Sequence, residues 1–449
     1  MCQNGNELNK FLQVKVVGIK IGLLGLGTVG GGTVEILQSP EGRHPLLQEL
    51  EIYRVGVRDR TKNRSLQFAE NVLTTDLEAI VTDPNIDIVV EVMGGLEPAR
   101  SLILQAIANN KHVVTANKAV IARYGEEIFS AANEKGVYVM LEAAVAGGIP
   151  VIQTLKQSLG ANRIQTVTGI VNGTTNYILT RMQTEGADFA QVLADAQQLG
   201  YAEADPSADV DGLDAADKIA ILASLAFGGR INLADIYCEG IRQVSAADIA
   251  YADKLGFVIK LLAIAHRHTT KTTDSDLLSI RVHPTFVPKI HPLATINGVY
   301  NAILIEGEPL GQVMFYGRGA GAGPTASAVV SDIMNIAAIL KTETVPIPHP
   351  LLSCSHQHYC KIAPIQELIT RFYARFLTKD RPGVIGKLGT CFGNHHVSLE
   401  SVVQTGIHGE LAEIVVVTHD VAEGNFQLAI DEISKMESID RIASKLRVL

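Results

Sequence analysis

An acidic stretch that ends in a lysine holds the densest group of ionisable side chains in the sequence. It reads GYAEADPSADVDGLDAADK and runs from residue 200 to residue 218. A helix is predicted beyond Gly212, and on it Asp214 and Lys218 stand four residues apart and share a face. An ammonium in that position can face a carbonyl oxygen, while Glu203 and Asp209 on the preceding proline-containing loop can hold a substrate ammonium. The stretch therefore predicts acid–base chemistry on a small amino compound.

The same stretch has two other interpretations, a calcium-binding loop and a solvated ion pair. A calcium loop fails, because placing Gly212 at loop position six puts Lys218 at position twelve, where a bidentate glutamate is required. A solvated i,i+4 ion pair is the simpler alternative. The flanking Glu203 and Asp209 favour the chemical site over that simpler pair.

A glycine-rich turn near the start of the chain predicts dinucleotide binding. It comprises Gly25, Gly27, Thr28, Val29 and Gly30, after a β-branched strand and before a helical stretch. Such a turn lets a pyrophosphate approach the helix N-terminus, where backbone N–H groups and the helix dipole favour an anion. The strand before it and the helix after it raise the motif above an ordinary glycine turn.

The end of the second predicted strand bears on the cofactor. NAD enzymes place an acidic residue there for the ribose hydroxyls, whereas this chain has Arg58, followed by Asp59 and Arg60. Arg58 is suited to a 2′-phosphate, so NADP is favoured, while Asp59 leaves NAD open. The alternative is that both arginines belong to a solvated loop.

The elements around these motifs predict a Rossmann-type α/β domain, with a doubly wound parallel sheet, over residues 1–150. Its predicted strands are Val14–Leu24, Ile52–Val57, Ile86–Met93, His112–Thr115 and Val137–Leu141. An α+β catalytic and dimerisation domain follows over residues 151–317. A return segment, about residues 318–345, brings a glycine-rich loop and the helix Thr325–Leu340 back to the first domain. We assign Gly319 and Gly321 of that loop to the cofactor site.

The tail, residues 370–449, has the order strand, helix, strand, strand, helix, strand of a ferredoxin-like fold. Its opening turn, Lys379–Val384, resembles the start of an ACT domain, a family that binds amino acids between paired copies. The alternative is a purely structural ferredoxin-like module. A Pro- and His-rich linker, about Thr342–Ala363, precedes the tail.

The acidic stretch resembles the signature of homoserine dehydrogenases. The resemblance runs through Ala202, Asp205, Pro206, Asp209, Gly212, Asp214 and Lys218. It implies that Glu203 and Asp214 bind homoserine, that Gly200 contacts the cofactor and that Lys218 is the proton donor.

Three further segments match the same family. Thr115–Lys118 resembles its cofactor-side lysine motif, which makes Lys118 a second candidate for catalysis and cofactor binding. Asn172–Asn176 resembles its substrate-domain loop. Glu142–Pro150 resembles its monovalent-cation loop, and the implied ligands of sodium or potassium are Glu142, Val145, Gly147 and Ile149. A tight interdomain turn is the alternative for this last segment.

The resemblance implies an activity, an effector and an assembly. The activity is NAD(P)H-dependent reduction of L-aspartate 4-semialdehyde to L-homoserine, a step towards threonine, methionine and isoleucine. The effector is an amino acid, L-threonine being the expected one, and the assembly is a homodimer or homotetramer.

Composition agrees with a small-molecule enzyme in the cytoplasm. A net charge of -9 over 449 residues argues against nucleic-acid binding. We expect no secretory leader and no apolar run long enough to span a membrane. Five scattered cysteines are unlike a disulfide framework. Cys354, His356, His358 and Cys360 alternate in a way that suggests a metal site, although their spacing is too close for usual zinc motifs and favours a polar linker.

Two other functions are weaker. An aldehyde dehydrogenase acting through a thiohemiacetal needs a cysteine nucleophile, and none of the five cysteines adjoins the cofactor loop or the acidic stretch. An amino-acid-sensing regulator needs no proton donor, and we find no obvious basic DNA-recognition helix.

Overall fold

The computed structural model describes residues 18–449, apart from residues 70, 269–276, 343–348, 355, 357 and 409–410. The chain forms two compact units, which we describe one at a time. The first contains the residues up to Gly148 together with Gly321–Ser355, and the second contains Ile149–Ala320 with His356–Leu449. The predicted strand start at Val14 and part of the predicted linker lie outside the described residues.

The first unit is built on a parallel sheet. Its strands are β1 (Ile19–Leu24), β2 (Leu50–Gly56), β3 (Leu73–Thr74), β4 (Ile88–Glu91), β5 (His112–Thr115) and β6 (Val139–Met140). Its helices up to Gly148 are α1 (Thr28–Gln38), α2 (Glu78–Thr82), α3 (Ala99–Ala108) and α4 (Lys118–Lys135). Among the described residues the sheet order is β3-β2-β1-β4-β5-β6 with every pairing parallel. The predicted doubly wound sheet is confirmed, and its order reverses between β1 and β4, where such sheets bind ligands.

The second unit begins with helices and long antiparallel strands. Its helices before residue 320 are α5 (Gly173–Glu185), α6 (Phe189–Gln198), α7 (Ser207–Val210), α8 (Leu213–Phe227) and α9 (Ala246–Lys254). Its strands there are β7 (Arg163–Ile170), β8 (Tyr237–Cys238), β9 (Phe257–His268), β10 (Leu277–Pro288), β11 (Tyr300–Glu308) and β12 (Gly311–Arg318). β-Branched and aliphatic residues fill β9 and β10, and both strands are buried along most of their length. This mixed sheet confirms the predicted α+β class.

Helix α10 (Ala322–Thr342) returns to the first unit and packs against α1. A side chain at Gly32 of α1 would lie 2.7 Å from the carbonyl oxygen of Ala322, so the two helices approach closely. By length and composition α10 is apolar enough to cross a membrane, which the sequence analysis did not anticipate. More than half of that apolar window is buried within the protein, as in a core helix.

The tail has the predicted ferredoxin-like order. Its strands, with the short one that precedes them, are β13 (Lys361–Ile362), β14 (Ile369–Lys379), β15 (Leu399–His408), β16 (Leu411–Thr418), β17 (Val421–Ala422) and β18 (Ile439–Val448). Its helices are α11 (Val384–Asn394) and α12 (Glu423–Ile433). The strand order β18-β14-β16-β15 is that of a ferredoxin-like fold.

One strand pairing joins the tail to the rest of the second unit. β18 runs parallel to β10, with Thr285 opposite Arg447 and Phe286 opposite Val448. The two sheets therefore continue into one another, in the order β12-β11-β7-β9-β10-β18-β14-β16-β15. The division into three domains stays a prediction, because here the second and third share a sheet.

A network of buried ion pairs and hydrogen bonds connects α9 to strands β14 and β16 of the tail. Arg375 on β14 donates from Nε to Asp248 of α9 at 2.9 Å and from Nη1 to Glu413 of β16 at 2.8 Å. The Tyr251 hydroxyl donates to Glu413 at 2.5 Å, and the Tyr373 hydroxyl donates to Asp248 at 3.1 Å. The Asp248 side chain is fully buried and that of Arg375 is 9% exposed. Each charge thus has a partner where water is excluded.

We predict that Arg375→Met lowers the free energy of unfolding by about 3–5 kcal/mol, because it leaves two buried carboxylates without their cation. Arg371→Met is the control on the same strand, since Arg371 pairs with Glu400 at a half-exposed position and its loss costs about 0–1 kcal/mol. Urea denaturation of both variants measures the difference. If both variants lose the same free energy of unfolding, burial does not determine how much the ion pairs of Arg375 contribute to stability.

Candidate active site

A buried ion pair at the start of α8 forms the centre of the candidate site. Gly212 begins the helix with φ of 85°, a left-handed conformation that suits glycine. The Nζ of Lys218 donates to Asp214 Oδ2 at 2.6 Å and to the carbonyl oxygen of Val171 at 2.7 Å. The side chains of Lys218 and Asp214 are 12% and 7% exposed. This burial distinguishes the pair from a solvated surface pair.

Asn172 connects this pair to the rest of the acidic stretch. It follows β7 and caps α5, its Oδ1 accepting from the N–H of Thr175 at 2.8 Å. Its amide nitrogen donates to Asp209 Oδ1 at 2.7 Å and to Asp214 Oδ2 at 2.8 Å. One amide therefore orients both carboxylates. The sequence analysis noted Asn172 only through a family resemblance; the local signal was an asparagine placed to cap a helix.

Asp209 lies on the short helix α7 rather than on an open loop. Its burial raises the pKa of this carboxyl group above the ordinary value, and the negative charge of Asp214 acts in the same direction. The hydrogen bond from Asn172 opposes that shift. Glu203 lies on the exposed segment before α7, and Gly200 adopts φ of 75° just after α6. Asp209, Asp214 and Lys218 are thus brought together, while Glu203 lies outside their hydrogen-bonded cluster.

A second buried lysine contacts α5 through Asn176. Lys260 of β9 is fully buried, and its Nζ donates to Asn176 Oδ1 at 3.2 Å and to the carbonyl oxygen of Ile296 at 2.5 Å. Burial lowers the pKa of Lys260 to about 8. The amide of Asn176 also donates to the carbonyl oxygens of Gly298 and Tyr300. Sequence reasoning missed Lys260, because a single lysine in an apolar strand carries no motif.

In the first unit, the glycine-rich turn has the shape that a pyrophosphate site needs. Gly25 adopts φ of 104°, and a side chain at Gly30 would lie 2.2 Å from the carbonyl oxygen of Gly25. At Gly27 nothing lies within 4 Å of an added Cβ, so the backbone there is open to a ligand. Thr28 and Val29 begin α1, whose N-terminal N–H groups suit an anion. These residues fit a dinucleotide.

The loop after β2 carries the candidate 2′-phosphate contact. Arg58 is exposed, and Asp59 Oδ1 accepts from the N–H and the hydroxyl of Thr61 at 2.7 and 2.6 Å. These bonds lower the pKa of Asp59. Basic side chains line a cavity of about 710 Å³ beside this loop, namely those of Arg60, Lys62 and Arg64.

The carboxyl ends of β4 and β5 are tied together by a glutamate that the sequence analysis overlooked. Glu91, fully buried, accepts from the Thr115 hydroxyl at 2.7 Å and from the N–H of Met93 at 2.9 Å. Asn117 caps α4, whose first residue is the half-buried Lys118. Lys118 therefore lies near the carboxyl edge of the sheet, the edge at which doubly wound sheets bind ligands in general.

The predicted cation loop is a buried turn. Glu142, 3% exposed, begins a short 3₁₀ turn, and its N–H donates to the buried Asp332 of α10 at 2.7 Å. Ala146 and Gly147 both adopt positive φ, at 55° and 53°. Val145 and Ile149 are almost fully buried, and Ile149 belongs to the second unit.

The remaining predicted site residues fall in two places. Gly319 closes the second unit's segment, where a Cβ would lie 2.1 Å from the Asn301 amide, and Gly321 opens the return segment with φ of 121°. Cys354 belongs to the first unit and the other members of its alternating motif to the second. In the part of the chain that the structure describes, His356, His358 and Cys360 are not among the groups whose ligand atoms converge.

Three family models together match most of the chain. Residues 25–142 match the homoserine dehydrogenase NAD-binding domain, residues 150–334 match homoserine dehydrogenase, and residues 372–438 match the ACT domain. The homoserine dehydrogenase of Synechocystis sp. is 69% identical over 96% of this chain and 99% of its own length. That of Bacillus subtilis is 40% identical over 96% and 98%.

Solved structures agree with these matches. A homoserine dehydrogenase from Thiobacillus denitrificans has a TM-score of 0.89 at 42% identity, covering 96% of this chain and 98% of that one. A hyperthermophilic archaeal homoserine dehydrogenase, solved in complex with NADPH, has a TM-score of 0.59 at 29% identity, covering 73% and 99%.

We predict that Asn172→Ser moves the acidic limb of the pH profile of kcat/KM upward by about 1–2 pH units. Serine keeps the helix cap but removes the amide donor, a bond to a charged group worth about 1.5–3 kcal/mol. The Asp209 carboxyl then takes up its proton at a higher pH, and activity that needs the carboxylate is lost sooner as the pH falls. The profile is measured with the substrate of the relatives named above.

Asn232→Ser is the matched control, because Asn232 caps a short helix outside the cluster. If the acidic limb of the pH profile does not move in Asn172→Ser, Asn172 does not control the ionisation that sets this limb.

Proposed function

We propose a catalytic assignment that starts from one premise: the chain belongs to the homoserine dehydrogenase family and is an NAD(P)-dependent oxidoreductase. In this assignment Lys218 gives the proton that completes reduction of L-aspartate 4-semialdehyde to L-homoserine. A bound reduced nicotinamide supplies the hydride to the aldehyde carbon. The carbonyl oxygen then becomes an alkoxide, which needs one proton from the protein.

The bonding of the Lys218 ammonium carries this assignment. An ammonium has three N–H donors, and among the described residues two of them are directed at Asp214 and at the carbonyl oxygen of Val171. The third is left for a substrate oxygen. Asp214 pairs with Lys218 at 2.6 Å in a site where both side chains are mostly buried. The pair therefore combines a charged donor with a fixed direction.

The neighbouring carboxylates suit the amino end of the substrate. Asp209 and Asp214 converge on one amide, and Glu203 lies on the segment that precedes them. We assign Glu203 and Asp214 to the substrate ammonium, with Asp209 supporting that pocket. On the cofactor side, Gly200, Gly319 and Gly321 keep the assignments made from the sequence. The rival proton donor is Lys118, at the carboxyl edge of the first unit's sheet.

We predict that Lys218→Ala lowers kcat by about 10²- to 10⁴-fold, the range for loss of a general acid, while NADPH binding is unchanged. Glu203→Ala should act mainly on KM for homoserine, because a positioning group contributes to ground-state binding. Steady-state kinetics and fluorescence titration with NADPH measure the two effects. Lys435→Ala, on the exposed tail surface, is the control lysine.

The comparison with Lys118→Ala decides between the two lysines. A near-normal kcat in Lys218→Ala, together with a steep loss in Lys118→Ala, would transfer the proton to Lys118.

We propose NADP as the preferred cofactor, with Arg58 on its 2′-phosphate. Arg58 is exposed, the basic cavity lies on the same loop, and Asp59 is occupied by Thr61. The archaeal relative solved with NADPH adds support by similarity.

Arg58→Ala is predicted to raise KM for NADPH about ten- to hundredfold, since a charge-assisted contact contributes about 1.5–3 kcal/mol. KM for NADH should change little, and Arg43→Ala, another exposed arginine of the first unit, should alter neither value. A parallel rise for both cofactors would assign Arg58 to a role other than the 2′-phosphate.

We also propose that the turn at Glu142 holds sodium or potassium, with the carbonyl oxygens of Val145, Gly147 and Ile149 as further ligands. A buried carboxylate and hard carbonyl oxygens suit such a cation. The left-handed conformation of Ala146 is costly for a residue other than glycine, and such strain tends to persist where function needs it. Activity in sodium, potassium and a bulky organic cation at equal ionic strength compares the ions, and equal rates in all three would remove this proposal.

We further propose that the ACT tail transmits inhibition by an amino acid, L-threonine being our expected effector. Support comes from a packed path within the second unit. β18 of the tail pairs with β10, and Val282 of β10 packs on Gly212, where an added Cβ would lie 3.2 Å from Val282 Cγ1. Gly212 begins the helix that carries Asp214 and Lys218. A shift of the tail strands thus has a short route to the proton donor.

We predict that L-threonine inhibits the full-length enzyme and that Val282→Ala weakens this inhibition, with a loss of coupling of about 0.5–2 kcal/mol. The rise in melting temperature caused by threonine should persist, because the tail itself is unchanged. Val287→Ala is the control, a fully buried valine on the same strand. Threonine without effect on the unaltered enzyme would exclude it as the effector.

Three broader assignments complete the proposal. The reaction belongs to the route towards threonine, methionine and isoleucine. The enzyme is a homodimer or homotetramer, which analytical ultracentrifugation measures directly. A cytoplasmic location fits the scattered cysteines, which are unlike a disulfide framework.

A further inference from the structure

Three potential metal ligands converge at the ends of the two helices of the tail. Cys391 and His395 lie four residues apart at the end of α11, and Glu432 lies at the end of α12. Their ligand atoms all lie within 4.8 Å of one another. His395 Nε2 and Glu432 Oε2 are 2.8 Å apart. In the part of the chain that the structure describes, this is the one such group of histidine, cysteine and acidic residues.

We propose that Cys391, His395 and Glu432 form a binding site for a divalent transition-metal ion, zinc being the best fit. A thiolate, an imidazole and a carboxylate are the three ligand types that zinc takes in proteins, and a water molecule completes the tetrahedron. Bond lengths of about 2.0–2.3 Å separate neighbouring ligand atoms by roughly 3.3–3.6 Å, within reach of small side-chain rotations from the present positions. Calcium and magnesium prefer oxygen ligands and fit poorly.

The surroundings favour a cation. The cysteine and the histidine occupy the last turn and the C-cap of α11, and Glu432 is the penultimate residue of α12. Both helices therefore present their negative dipole ends to the site. Lys435, one turn beyond Glu432, is the charge that opposes binding.

The three ligands differ in burial, so that one side of the proposed site is enclosed by the core and the other is open to solvent. Cys391 is 2% exposed, while the side chains of His395 and Glu432 are 23% and 52% exposed. The thiol is thus protected from solvent on the core side, and the ion can enter from the surface. Binding would bridge α11 to α12 and release the thiol proton.

The test uses the full-length protein, freed of metal by a chelator and titrated with Co²⁺. We expect one equivalent to give a thiolate-to-cobalt charge-transfer band in the near ultraviolet, which Zn²⁺ then removes by competition. Cys391→Ser should abolish the band, and His395→Gln should weaken binding at least about tenfold. His396→Asn, an exposed neighbour with positive φ that asparagine tolerates, should behave as the unaltered protein.

Retention of the full band in Cys391→Ser, or its absence from the unaltered protein, would overturn the proposal. Glu432→Gln covers the case in which Cys391→Ser folds poorly, because this residue is exposed and its substitution spares the core. Zinc affinity, measured against a chromophoric chelator, should fall at least about tenfold in Glu432→Gln. An unchanged affinity there would equally overturn the site.

Discussion

The need to pair a lysine ammonium in a nearly dry site constrains most of the second unit. A buried charge is tolerated only with its partners in place, so Lys218 requires both the carboxylate of Asp214 and the carbonyl oxygen of Val171. The first partner comes from one turn earlier on the same helix, and the second from the end of β7. The helix and the strand must therefore keep a fixed spacing. Asn172, the next residue, holds Asp209 and Asp214 and so keeps the negative charges close together.

Further contacts in the second unit hold the helices around the Lys218–Asp214 pair. Asn176 and Lys260 hold α5 against the turn at Ile296, while Val282 supports Gly212 at the start of α8. On β14 of the same sheet, Arg375 joins the tail to α9 through its buried ion pair with Asp248, and it also pairs with Glu413 of β16. These contacts connect the tail to the start of α8 and are the path by which the proposed inhibition would be transmitted. The last strand of the tail pairs with β10, so the tail and the strands that contact the helix of Lys218 belong to one sheet.

Sequence reasoning succeeded where the signal is local. The spacing of Asp214 and Lys218 is enough to predict a shared helix face, and the glycine pattern before α1 is enough to predict a dinucleotide turn. It missed Glu91 and Lys260, since one charged residue inside an apolar strand has no periodic signature. The β10–β18 pairing also left no signal, because only two residue pairs create it. The alternating Cys354–Cys360 motif is interpreted as a polar linker rather than a metal site, whereas the three ligand groups that converge come from two helices that are distant in sequence.

Chemical rescue of Lys218→Ala by small primary amines tests the central claim most directly. If the missing group is a proton-donating ammonium, added methylamine or ethylamine should restore part of the lost rate in proportion to its concentration, and the effect should vary with the pKa of the amine. The unaltered enzyme should not respond. Amines that restore Lys118→Ala but leave Lys218→Ala inactive would contradict the account and place the proton donor in the first unit.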